Sequence, residues 1–158
     1  MENRAQTDHE KDILQRAAKV LPQGSLGNLN YDLIVNRGNG SHIWDESGNE
    51  YIDYLLGSGP MIVGHANSSV MEAVLKQLSS GTTFFATNEK AVELAEEIVR
   101  AVPCADKVRF CSTGSEATLY AMRAARSFTK KDKILKFEGG FHGMNDYALM
   151  SMAPSKLL

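Results

Sequence analysis

The chain has little of what marks several large classes of protein. Its 158 residues include only two cysteines, Cys104 and Cys111, and the formal net charge is −2. Two cysteines without a cysteine or histidine at metal-ligand spacing supply neither a disulfide framework nor a zinc site. A charge so close to neutral, with scattered basic residues, gives no electrostatic reason to expect nucleic acid or an acidic membrane as a partner.

Long apolar runs are also missing. No stretch approaches the roughly 20 apolar residues that cross a membrane, and the polar start MENRAQTDHEKD lacks the apolar core of a secretory signal. The final letters SKLL differ from the peroxisomal address SKL by one added leucine. These features predict a cytoplasmic protein without a membrane partner.

Up to about residue 64, the sequence predicts a helix followed by a small antiparallel sheet. Apolar residues recur at helical spacing from Asp8 to Leu21, and Pro22 ends the pattern. From residue 33 to 54, short apolar stretches are separated by the turn pairs Asn39-Gly40 and Ser47-Gly48. That pattern is typical of a β-meander.

After residue 64, predicted helices and strands alternate. Ser69 and Glu72 have the spacing of a capping box at the start of the first helix. Strand, helix and strand in succession favour a right-handed βαβ unit with parallel strands, and hence an α/β fold. The predicted elements are the helix Asn67–Leu78, the helix Asn88–Val102, the strand Lys107–Cys111, the helix Gly114–Phe128 and the strand Lys133–Phe137.

The stretch RFCSTGSEATLYAMRAAR places small polar residues between a predicted strand and a predicted helix. Ligands of α/β sheets bind where strands end, and the first turn of a helix attracts phosphate through its free N–H groups. Gly114 allows close approach, and the hydroxyls of Thr113 and Ser115 are able to donate to phosphate oxygens. A capping box of Thr113 and Glu116 explains part of the same pattern without any ligand, and the motif lacks the lysine of a P-loop.

A second glycine-rich turn, EGGFHGMND, follows the last predicted strand. Gly139, Gly140 and Gly143 surround Phe141 and His142 there. The aromatic ring is suited to stack on a flat ligand. A core aromatic residue and a structural histidine are the simpler interpretations of the same two residues.

Four stretches together resemble the N-terminal part of class III (fold-type I) pyridoxal-phosphate-dependent aminotransferases, and within them the glutamate-1-semialdehyde aminomutase-like group. They are WDESGNEYIDYLLGSGPMIVGH, GTTFFATNEKAVELAE, VPCADKVRFCSTGSEATLYAMRAAR and DKILKFEGGFHGMND. The resemblance implies an α/β fold in which an N-terminal helix and small antiparallel meander (residues 1–64, part of a small domain) precede the start of a truncated large domain that binds pyridoxal phosphate (residues 65–158).

The resemblance also implies roles for individual residues toward pyridoxal 5'-phosphate. Glu116 is expected mainly to hold the start of the helix. No metal site is expected. The implied cofactor-binding residues are Thr113, Gly114 and Ser115 around the phosphate, Phe141 stacked on the pyridine ring, and His142 and Gly143 completing that motif.

Two departures from the family pattern affect the function. Asn30 stands where the aminomutases have an arginine for the substrate carboxylate. The Schiff-base lysine and the acid beside the pyridine nitrogen are expected beyond Leu158, so no catalytic residue is assigned within this chain; a role for Lys136 is not favoured. The chain resembles the opening third of an enzyme, and we expect it alone to be marginally folded and inactive.

The resemblance favours transfer of an amino group between an amino acid or amine and a carbonyl acceptor, carried out by the complete protein. The alternatives are the intramolecular reaction of glutamate-1-semialdehyde 2,1-aminomutase, a non-catalytic module that binds a phosphate ligand, and an inactive interaction fragment. Glu138 is the only nearby candidate for a ribose-binding acid in the module. The family also implies a homodimer, with Gly81–Glu89 near the partner's cofactor.

Overall fold

The structure is a computed structural model that describes residues 4–26 and 32–151. The chain forms two compact units, the first ending at Phe84 and the second beginning at Phe85. The division into domains at residue 64 concerns the complete protein and stays a prediction.

The predicted N-terminal helix, α1, spans Asp8–Val20. Thr7 caps it, since Thr7 Oγ1 accepts a hydrogen bond from the Glu10 N–H at 3.3 Å. The helix ends where Leu21 becomes extended (φ −113°, ψ 140°), the conformation that a following proline imposes. The predicted helix is confirmed.

The predicted meander is confirmed as an antiparallel three-stranded sheet in the order β1-β2-β3. Its strands are β1 (Val35–Asn39), β2 (His42–Asp45) and β3 (Glu50–Ile52). Gly40 and Gly48 lie between the strands with φ of +56° and +87°. Glycine adopts these values without strain, which explains the turn pairs in the sequence.

Buried charges join α1 to the sheet. Glu10 and Asp45 are 0% and 2% exposed, and Arg4 Nη1 lies 2.8 Å from a carboxylate oxygen of each. Burial opposes ionisation of Glu10, but hydrogen bonds from Arg4 and Ser47 outweigh it and lower the pKa of Glu10. Burial acts the same way on Asp45, where the hydrogen bond from the Asn49 side chain leads the effects that lower its pKa. Both carboxylates are therefore held ionised inside the unit.

The first unit also contains α2, which spans Ser68–Leu78. Its cap is Asn67, whose Oδ1 accepts from the Val70 N–H at 3.3 Å. The predicted capping box of Ser69 and Glu72 is wrong, because the helix begins before Ser69 and leaves that serine inside the first turn. Asn67, two residues before Ser69, is the cap instead, and asparagine is among the residues favoured at that position.

The second unit contains the other α-helices of the described residues: α3 (Glu89–Ala101), α4 (Gly114–Thr129) and the short α5 (Asp146–Leu149). Asn88 caps α3 by accepting from the Ala91 N–H at 3.0 Å. The predicted helices at α3 and α4 are confirmed. Across the part of the chain that the structure describes, no helix combines the length and apolar character needed to cross a membrane.

The two predicted parallel strands are not formed. Lys107–Cys111 and Lys133–Phe137 flank α4, but among the described residues the only sheet is β1-β2-β3. A strand needs a neighbouring backbone in register, and these two segments do not supply it for each other. Their apolar side chains stay on the surface, with Leu135 at 88% and Phe137 at 76% exposure.

Candidate functional site

The first turn of α4 is held by the predicted capping box. Thr113 Oγ1 accepts from the Glu116 N–H at 3.1 Å. In return, Glu116 Oε2 accepts from the N–H groups of Thr113 and Ser112 at 3.2 and 2.8 Å. The capping box is thus present, and it already uses two of the N–H groups in front of the helix.

Two further N–H groups of this turn have no hydrogen-bond acceptor within the helix. Within the described residues, neither the Gly114 N–H nor the Ser115 N–H donates to a protein acceptor, as expected for the first turn of a helix. A Cβ added to Gly114 would meet no atom within 4 Å. The space above these donors is therefore open.

The second glycine-rich motif lies directly against this turn. The Met144 N–H donates to Ser115 Oγ at 2.8 Å. Gly143 is buried with φ +113°, and a Cβ there would lie 2.9 Å from Thr118 Oγ1 and 3.0 Å from Ser115 Cα. The structure thus brings together two motifs that are about 28 residues apart in sequence, and only glycine fits at the point of contact.

Asn145 completes the junction, and the sequence reasoning missed it. Its Nδ2 donates to Ser115 O at 3.2 Å and to Thr118 Oγ1 at 3.1 Å, while its Oδ1 accepts from the Ala148 N–H at 3.1 Å. An asparagine before the run DYAL is a recognisable helix cap. Nothing in the sequence indicates its contacts with α4.

The hydroxyls of Thr113 and Ser115 are available to donate hydrogen bonds. Each oxygen accepts one backbone N–H, from Glu116 and from Met144 respectively. A hydroxyl that accepts in this way keeps its own proton for another partner, and the accepted bond polarises that proton. The arrangement suits an anion rather than a cation.

Phe141 and His142 lie on the exposed side of the second motif. The Phe141 side chain is 64% exposed, so this ring is not part of a core in the second unit. His142 packs against Gly140, where an added Cβ would be 2.7 Å from Nε2. It also lines a groove of about 760 Å³ together with Tyr147.

The other residues that the sequence analysis considered are not part of this junction or lie outside the described residues. Lys136 Nζ donates to Ala148 O at 2.8 Å and to Met150 O, so backbone carbonyls engage its ammonium. Asn30 lies outside the described residues. The placement of Gly81–Glu89 near a partner's cofactor stays a prediction. Among the described residues, no group of three or more His, Cys, Asp or Glu side chains is placed to hold a metal ion.

The donor set fits the phosphate of pyridoxal phosphate. Two free N–H groups and two hydroxyls surround an open position at the positive end of a 16-residue helix, the combination that binds phosphate in many folds. An exposed aromatic ring belongs to the loop that contacts the same turn.

Comparisons with known proteins identify the family of the chain. A family model described as Aminotransferase class-III matches residues 24–157. A glutamate-1-semialdehyde 2,1-aminomutase of Methanosphaera stadtmanae is 44% identical over 147 residues, covering 90% of this chain and 35% of that protein. The enzyme of the same name from Methanococcus maripaludis is 39% identical over 161 residues, covering 99% and 38% respectively.

Two solved structures share the fold closely. An omega-transaminase from Sphaerobacter thermophilus is 36% identical with a TM-score of 0.85, over 90% of this chain and 34% of that one. A transaminase with PLP bound is 33% identical with a TM-score of 0.85, over 92% and 35%. The predicted fold-type I architecture is confirmed. The chain spans about a third of the length of the relatives that it matches.

Proposed function

Because this chain belongs to the class-III aminotransferase family, we propose that the complete protein transfers an amino group between an amino acid or amine and a carbonyl acceptor, with pyridoxal phosphate as cofactor. The chain supplies the phosphate-binding part of that site. The catalytic lysine is proposed to lie in the remainder of the protein.

The observation that carries the proposal is the meeting of the two motifs at Ser115. Its N–H is free, its hydroxyl oxygen accepts from Met144, and Gly143 packs on its Cα. The first turn of α4 and the loop that carries Phe141 (residues 138–146, here called the aromatic loop) are thereby side by side. That arrangement fits a cofactor with a phosphate at one end and a flat ring at the other.

Pyridoxal phosphate supplies an aldehyde that takes up the amino group and a ring that withdraws electrons from the reacting carbon. The residues of this chain bind and orient it. The N–H groups of Gly114 and Ser115 and the hydroxyls of Thr113 and Ser115 bind the phosphate, and the helix dipole favours its negative charge. Phe141 would stack on the ring and help to orient it.

The named relatives favour the intramolecular aminomutase reaction as a second candidate. Asn30 makes the aminomutase reaction the less favoured candidate, because an amide cannot pair with a substrate carboxylate as an arginine does. The intact protein is given glutamate-1-semialdehyde in one assay and an amino donor with an α-keto acid in another. Formation of 5-aminolevulinate supports the aminomutase, and amino transfer without it supports the aminotransferase.

The phosphate site is tested by Gly114→Asp in the intact protein. Aspartate in the first turn of a helix is favourable for the helix itself, so the protein is expected to fold. A carboxylate beside the phosphate is expected to weaken cofactor binding on the order of 100-fold, which is about 2.8 kcal/mol.

The matched control is Ser68→Asp, which places the same charge in the first turn of α2. Cofactor retained after dialysis is measured by its absorbance. Loss in Gly114→Asp with retention in Ser68→Asp is expected. Equal retention in both variants would contradict the proposed site.

A further inference from the structure

The side chain of Asn145 makes hydrogen bonds to three separate groups. It donates to Ser115 O and Thr118 Oγ1 on α4, and it accepts from the Ala148 N–H of α5. The amide orientation is fixed by these partners, because Ser115 O requires a donor and the Ala148 N–H requires an acceptor. A flipped amide would break the hydrogen bonds to both α4 and α5.

Few other hydrogen bonds join the first turn of α4 to the rest of the unit. Its capping box involves only its own neighbours, Thr113 and Glu116. No atom lies within 4 Å of the Cβ position of Gly114. Among the described residues, the hydrogen bonds that reach this turn from another segment come from Met144 and Asn145, and Asn145 is the one that uses a side chain.

We propose that Asn145 is a positioning residue: by holding the Ser115 carbonyl and Thr118, it keeps the first turn of α4 and the aromatic loop in the register that the cofactor phosphate requires. This inference rests on the proposed function, since it concerns the same phosphate site. Asn145 acts through Ser115 and does not itself touch the phosphate.

Asn145 also caps α5, so the test must separate that role from the contacts with α4. Asn145→Ser retains a hydroxyl oxygen for the Ala148 N–H, since serine is as good a cap as asparagine, and it removes both donors to α4. Asn67→Ser makes the same exchange at the cap of α2, outside the predicted site. It is the matched control.

The intact protein, freed of cofactor, is titrated with pyridoxal phosphate and with pyridoxal, which lacks the phosphate. Asn145→Ser is expected to lower the affinity for pyridoxal phosphate about 5- to 30-fold, as for the loss of hydrogen bonds worth ~1–2 kcal/mol. The affinity for pyridoxal is expected to fall by a smaller factor, because only the contacts of the aromatic loop with the ring are affected. Asn67→Ser is expected to change neither affinity.

A double-mutant cycle tests whether Asn145 acts through Ser115. Ser115→Ala is expected to lower the affinity for pyridoxal phosphate, and adding Asn145→Ser is expected to cost less than it does alone. If Asn145→Ser does not fold, Thr118→Val replaces it. That change removes the Thr118 hydroxyl while nearly preserving the side-chain shape, and it is expected to shift the same affinity ratio in the same direction.

The outcomes separate the two claims. If Ser115→Ala and Gly114→Asp weaken pyridoxal phosphate but Asn145→Ser leaves the ratio of the two affinities unchanged, the role of Asn145 is refuted and the proposed site stands. If Asn145→Ser weakens both ligands equally, its effect is a general loss of structure and the inference is also refuted. If Ser115→Ala and Gly114→Asp have no effect, the proposed phosphate site itself fails.

Discussion

The contact between Gly143 and α4 permits a sharp test of how the two motifs are held together. Gly143→Ala adds one methyl group at a buried position where the nearest atoms are Thr118 Oγ1 at 2.9 Å and Ser115 Cα at 3.0 Å. The backbone φ of +113° is also one that alanine rarely adopts. The substitution therefore forces the aromatic loop away from the phosphate-binding turn.

The cost follows from two effects. A residue with a Cβ in this backbone region costs roughly 1–3 kcal/mol, and an added methyl group in a packed contact costs roughly 1–3 kcal/mol. Because the neighbouring atoms relax in part, we expect Gly143→Ala to lower the free energy of local opening by about 2–4 kcal/mol in total. At about 1.4 kcal/mol for each tenfold change, amide hydrogens that exchange through this local opening should exchange roughly 25- to 700-fold faster.

Hydrogen exchange in the intact protein, read by mass spectrometry on peptides covering residues 139–149, measures this opening. Faster exchange there, including the Met144 N–H that donates to Ser115 Oγ, is expected. Gly114→Ala is the control, because its added methyl group meets no atom within 4 Å. Unchanged exchange in Gly143→Ala would refute the claim that this contact holds the loop.

Two further predictions concern the first unit. The pKa values of Glu10 and Asp45 are lowered from 4.5 and 3.8, so their stabilising effect is present above those values and is lost as the pH falls through the folded-state pKa. Asp45→Asn is therefore expected to lower the melting temperature of the intact protein at neutral pH, with the difference from wild type shrinking below about pH 4; a constant difference down to pH 2.5 would contradict this. Gly38→Ala places a Cβ 2.6 Å from His65 Cγ and is expected to destabilise the unit by about 1–3 kcal/mol. The loss of unfolding free energy caused by Gly38→Ala should be smaller in a His65→Ala background. An equal loss in both backgrounds, measured by thermal unfolding, would show that it does not come from the contact with His65.

The elements that the sequence predicted correctly depend on near neighbours. The capping box of α4 involves Thr113 and Glu116, three positions apart, and the turns of the meander rest on Gly40 and Gly48 in conformations that glycine favours. Such patterns are complete within a few residues. Periodic apolar residues predicted α1 in the same way.

The features that the sequence did not reveal depend on distant partners. Strand pairing for Lys107–Cys111 requires a second backbone in register, which no local pattern supplies. The burial of Glu10 and Asp45 depends on Arg4 reaching both carboxylates. The same holds for Asn145, whose contact with Ser115 spans 30 residues. The motif residues were identifiable, but the side chain that joins them was not.

The most direct test of the central claim is a crystal structure of the intact protein with pyridoxal phosphate bound. We expect phosphate oxygens within about 3.2 Å of the Gly114 and Ser115 nitrogens and of the Ser115 hydroxyl oxygen, at hydrogen-bond distance. A phosphate bound elsewhere, with the first turn of α4 facing only water, would contradict it.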